Sequence, residues 1–99
     1  MTDGSKKDPK EMTIEEAGAI ILEPYVTEKT FNLMERENKL TFIVAEKTDK
    51  RKIMKAINIL YEAETLEVNT ARTIQGKKAF VKFKAVDGAR DLATKLGLV

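Results

Sequence analysis

The chain has 99 residues, with 18 lysines and arginines against 16 acidic residues and neither cysteine nor histidine. That length makes one domain with a modest core. The missing residue types exclude disulfides, thiolate metal sites and any Cys-His or Ser-His nucleophile, and the lone serine is Ser5.

Residues 1–18 read as a disordered tail. The first twelve (MTDGSKKDPKEM) are charged and lack apolar periodicity. Thr13 and Glu16 have capping-box spacing, but Gly18 limits any helix there to about one turn. Residues 19–99 read as the folded domain. Ala19 to Leu22 predicts a short strand stopped by Pro24. Thr27 is a helix N-cap, followed by a helix to about Arg36 with Phe31 and Met34 facing the core and Asn38 ending it. Lys39 to Ala45 is a strand with two largely apolar faces, and so a central one. Thr48 or Asp49 caps the longest helix, about Lys50 to Glu62. Its stripe is Ile53, Ala56, Ile57, Leu60 and Tyr61.

Leu66 to Ile74 is a strand with Leu66 and Val68 inward. Gln75-Gly76-Lys77 is a tight turn, and Lys78 to Lys84 is the return strand of a hairpin. Asp87 caps a last helix, Gly88 to Leu96, with Gly97 just past its end. The sum is an α+β fold: a small antiparallel or mixed four-stranded sheet covered by helices, in the order β-α-β-α-β-β-α. No apolar run is long enough for a membrane span, and no secretory leader is expected at the polar start.

Charge is spread unevenly. Residues 1–46 hold 6 basic and 10 acidic side chains, whereas residues 47–99 hold 12 and 6. Such asymmetry points to a polyanionic partner. Two clusters carry it. The first is Lys47, Lys50, Arg51, Lys52 and Lys55 at the start of the long helix. Cations there oppose the helix dipole at a cost of roughly 0.3–1 kcal/mol each, a sign that a bound phosphate would reverse. A solvated helix face is the plainer explanation. The second cluster is Arg72, Lys77, Lys78, Lys82 and Lys84 in the hairpin, where Lys82 and Lys84 share a face with Phe80. Lysines that protect an edge strand from aggregation would look similar. Together the clusters favour an RNA- or DNA-binding protein, without catalytic activity or cofactor. The alternative is a non-ribosomal RNA-binding or protein-interaction module of ferredoxin-like or RRM-like layout.

Three segments then resemble one family. Pro-Tyr-Val-Thr-Glu-Lys-Thr at 24–30, Val68-Asn69-Thr70, and Gly-Lys-Lys-Ala-Phe-Val at 76–81 resemble, in order and spacing, motifs of the universal large-subunit ribosomal protein L twenty-three family. The short hairpin and the added C-terminal helix resemble its archaeal branch. The resemblance implies a cytoplasmic ribosomal constituent, monomeric outside the ribosome, that binds large-subunit ribosomal RNA near the polypeptide exit tunnel. It further implies a neighbouring ribosomal protein at the exit site and a docking surface for factors such as the signal recognition particle. Carried over, Thr27, Lys29, Asn69, Thr70, Lys77 and Lys78 would meet RNA, and Glu28 would be the docking contact.

Overall fold

In a computed structural model the described residues are 12–98. They form helices α1 (Ile14–Ile20), α2 (Glu28–Glu37), α3 (Lys50–Tyr61) and α4 (Gly88–Lys95), and strands β1 (Ile21–Pro24), β2 (Lys39–Val44), β3 (Thr65–Thr73) and β4 (Gly76–Phe83). The strands make one antiparallel sheet in the order β1-β2-β4-β3. The α+β class stands, with one helix more than expected.

That helix corrects the view of residues 13–20. The capping box forms, with Glu16 N–H donating to Thr13 Oγ1 at 3.1 Å and Thr13 N–H donating to Glu16 Oε1 at 2.9 Å. Gly18 does not stop the helix, because Ala17 is fully buried and α1 packs along α3. Tertiary burial outweighs the glycine's cost of about 1 kcal/mol. Of the tail expected at 1–18, residues 1–11 lie outside the described residues and 14–18 are helical. The first strand therefore begins at Ile21 rather than Ala19.

Side chains alternate across a strand, and here the alternation divides two different surfaces. Leu40, Phe42 and Val44 of β2, Ala79, Val81 and Phe83 of β4 and Val68 of β3 all join a single core. Every helix contributes to that same core: Ala17 from α1, Met34 from α2, Ile53, Ala56 and Ile57 from α3, and Ala89, Leu92 and Ala93 from α4. Tyr61 stacks on Phe42 with centroids 5.9 Å apart, and burial pushes its hydroxyl pKa above the usual phenol value. Ile43, on the other side of β2, is buried but stands outside this cluster. The helices therefore cover one face of the sheet.

Two inward assignments fail. Leu66 is 56% exposed because the β3–β4 register shifts between Thr65 and Glu67, which turns it out of the core. Phe31 is 40% exposed, and Met34 fills the α2 contact instead. The hairpin turn sits one residue earlier than expected, with Thr73 paired to Gly76 around Ile74-Gln75. Gly76 takes φ +125, a value open chiefly to glycine.

Asn38 joins the end of α2 to the start of α4. It ends α2 in the left-handed conformation, φ 58. Its Nδ2 donates to the Phe83 carbonyl at 3.1 Å and the Ala85 carbonyl at 2.8 Å, and its Oδ1 accepts from Ala89 N–H at 2.8 Å. Asp87 occupies the N-cap position of α4 but makes no side-chain cap bond. Asn38 thus supplies from a distance a cap that the sequence assigned to Asp87. Gly88 packs so tightly that an added Cβ would meet Phe83 Cβ at 2.9 Å.

Asn38→Ala should destabilise the fold by about 2–4 kcal/mol, combining lost hydrogen bonds with left-handed strain. Urea unfolding checks this. Asn38→Gly, which relieves the strain alone, should recover roughly 1 kcal/mol.

Candidate nucleic-acid interface

The expected RNA contacts fall into four places, set by which strand face or helix end carries each residue. Lys50, Arg51 and Lys52 are exposed on the first turn of α3. Asp49 caps that helix by accepting from Lys52 N–H at 2.9 Å, which puts one carboxylate at the helix start. The hairpin reaches the same corner from β3 and β4. Arg72 and Lys77, directly paired across the strands, lie on the helix-covered side. Arg72 lies 3.7 Å from Glu46, and Lys77 Nζ donates to the Thr48 carbonyl at 2.6 Å and the Glu46 carbonyl at 3.4 Å. Lys77 is therefore a clamp for the loop that launches α3. Arg72 and Lys77 of the hairpin cluster thus reach the loop before α3, while the helix start presents Lys50, Arg51 and Lys52 outward.

Lys78 and Lys82 lie on the opposite face. The register puts Lys39, Lys82 and Glu67 in one row and Thr41, Phe80 and Asn69 in the next; Ile43, Lys78 and Ala71 follow. Tyr25 continues the middle row, since its N–H donates to the Thr41 carbonyl at 2.9 Å. Lys78 Nζ sits 3.8 Å from the centre of the Tyr25 ring, a cation–π contact that fixes the ammonium on this face. Asn69 Nδ2 donates to Glu67 at 3.1 Å. Thr41 Oγ1 is buried and has no hydrogen-bond partner among the described residues. An unmet hydroxyl of this kind costs about 1–3 kcal/mol. Lys39 and Tyr25 were not singled out as RNA contacts. Strand alternation from Thr41 and Ile43 was the signal that could have found Lys39.

Lys55 and Lys84 form a third place, on the rim of an apolar groove lined by Met12, Met54, Ile59 and Leu66. Lys84 lies 3.4 Å from Glu64. Thr70 shares the helix-covered face with Val68 and is half-buried. It is thereby separated from its neighbour Asn69, which points to the other side.

The fourth place is the start of α2. Thr27 Oγ1 accepts from Thr30 N–H at 3.2 Å, and Thr30 Oγ1 accepts from Thr27 N–H at 2.7 Å. The Thr27 hydroxyl is thus engaged in a cap. Glu28 and Lys29 are exposed beside it, next to the exposed apolar side chains Val26 and Phe31. Among the described residues, no group of acidic or other metal-ligating side chains could hold a metal ion, and no helix is long and apolar enough to cross a membrane.

A family model described as Ribosomal protein L23 matches residues 19–95. The chain is similar to the large ribosomal subunit protein uL23 of Methanococcus vannielii, 45% identical over 80 residues that cover 80% of this chain and 93% of that protein. It is 41% identical to the uL23 of Methanobrevibacter smithii over 81 residues, covering 81% of this chain and 94% of that one. The uL23 of Methanothermobacter thermautotrophicus is 38% identical over the same length of 81 residues, with the same coverage of 81% and 94%.

The geometry separates structural lysines from free ones. Lys77→Ala should lower stability by about 1–2 kcal/mol through the lost charged hydrogen bond. Lys50→Ala and Lys52→Ala should change it by no more than about 0.5 kcal/mol. Chemical denaturation of the three variants distinguishes these outcomes.

Proposed function

The chain belongs to the Ribosomal protein L23 family, and from that premise we propose that it is a non-catalytic structural constituent of the large ribosomal subunit that binds large-subunit ribosomal RNA. The observation that carries this is the α3 start, where Lys50, Arg51 and Lys52 project free of ion pairs among the described residues. Cations at the positive end of a helix are unfavourable alone and favourable once phosphates lie between them. Neutralised phosphates release counterions, so affinity falls steeply with salt.

The finer placement follows the family resemblance. Residues 19–99 are the RNA-binding domain, sited near the polypeptide exit tunnel in the cytoplasmic ribosome beside another large-subunit protein. The resemblance carries Thr27, Lys29, Asn69, Thr70, Lys77 and Lys78 to the RNA surface, and the charge pattern adds Lys55, Arg72, Lys82 and Lys84. Glu28 serves as a docking contact for nascent-chain factors such as the signal recognition particle. Its exposed apolar neighbours Val26 and Phe31 support that role, because a carboxylate beside apolar side chains offers both attraction and buried area.

Two measurements test this. The triple change Lys50→Ala, Arg51→Ala and Lys52→Ala should weaken binding to large-subunit RNA and reduce the slope of log K against log salt by roughly 2–3. An unchanged slope would contradict RNA binding at the α3 start. Glu28→Lys should leave assembly into the subunit intact and reduce factor binding to the assembled particle. Undiminished factor binding would remove the docking role.

A further inference from the structure

The sheet face that the helices leave uncovered has its own chemistry. Phe80 stands at its centre, half-buried, and among the described residues its ring is stacked on no other. Thr41 and Asn69 flank it across the strands, and Lys78 and Lys82 precede and follow it on β4. A rise of about 3.3 Å per residue puts these two lysines about 13 Å apart with the ring midway. The Tyr25 ring holds Lys78 in position. Lys82 is directly opposite Lys39, and like charges in that relation repel. Glu37, 3.2 Å from Lys39, and Glu67, directly opposite Lys82 on β3, offset part of this, and a phosphate between the two lysines would offset the rest.

Resting on the reading of the protein as an RNA binder, we propose that this face is a single-stranded RNA site, in which an unpaired base stacks on Phe80 and the flanking phosphates meet Lys78 and Lys82. The occupant follows from charge and shape together. An aromatic ring between lysines takes the flat face of a base on its ring and the backbone on its cations. Asn69 donates to Glu67 through Nδ2, which leaves its Oδ1 as an acceptor at the edge of the base. The Thr41 hydroxyl, without a partner in the free protein, lies in the same row. A duplex would present stacked, paired bases to this surface and could not use the ring. The site thereby differs from the α3 corner, which needs only phosphates.

The test uses the full-length chain with a short single-stranded RNA and a duplex RNA of equal length. Phe80→Leu keeps apolar cover over Thr41 but removes the ring. It should lose about tenfold in single-strand affinity and keep its duplex affinity. Phe80→Tyr should bind the single strand like the wild type. Photocrosslinking from 5-iodouridine in the single strand should label the β4 peptide at Phe80. Thermal unfolding checks that each variant is folded. Single-strand affinity unchanged in Phe80→Leu, an equal loss on single strand and duplex, or crosslinks that avoid β4 would each overturn the proposal. In those cases a salt slope still sensitive to Lys50, Arg51 and Lys52 would leave the RNA-binding reading standing. A chain that binds none of these RNAs, nor large-subunit RNA, would overturn both.

Discussion

Helices α2, α3 and α4 bury their apolar stripes against one face of a four-stranded sheet, and α1 packs Ala17 along α3. Most of the molecule depends on that arrangement. Leu40, Phe42 and Val44 meet the helices, so Thr41 and Ile43 between them must look the other way. The strict two-residue period of β4 repeats the division, with Ala79, Val81 and Phe83 inward and Lys78, Phe80 and Lys82 outward. A cation on β4 is thereby free of the core, and one that falls on the inward phase must find a partner. Lys77, on that phase, finds two backbone carbonyls.

The distribution of positive charge follows from this geometry. Some cations hold the fold: Lys77 braces the loop before α3, and Arg90 bonds Glu35 at 2.8 Å to tie α4 to α2. Others have no such work. Lys50, Arg51 and Lys52 crowd a helix end that would be steadier without them. Stability does not explain their position; under the proposed function a phosphate backbone would. Asn38, though uncharged, also holds the fold, because one side chain satisfies the carbonyls of Phe83 and Ala85 and the N–H of Ala89.

Much of this was legible in the sequence wherever a pattern was local. The Ile53, Ala56, Ile57 stripe gave α3, the alternation of residues 78–84 gave β4, and Thr27 and Gly97 marked helix ends. What stayed hidden was set by contacts distant in the chain. Gly18 argued against a helix that the packing of Ala17 on α3 stabilises. Leu66 looked inward until a register shift turned it outward. Asp87 looked like a cap, but Asn38, far away in sequence, performs that task. The site was legible to a similar degree. The basic residues could be found by counting charge, but not that Lys77 and Lys78, neighbours in sequence, serve opposite faces. The meeting of Arg72 and Lys77 with the loop before α3 also required the folded chain.

The central claim is that RNA is met by two surfaces, the α3 start and the open sheet face. Lysine labelling by reductive methylation, read by mass spectrometry, tests it most directly when the free protein is compared with the assembled large subunit. Lys50, Lys52 and Lys82 should react in the free chain, be protected in the particle, and react again after ribonuclease digestion. Equal labelling of these lysines in the free chain and the particle, or protection that survives digestion of the RNA, would contradict the account.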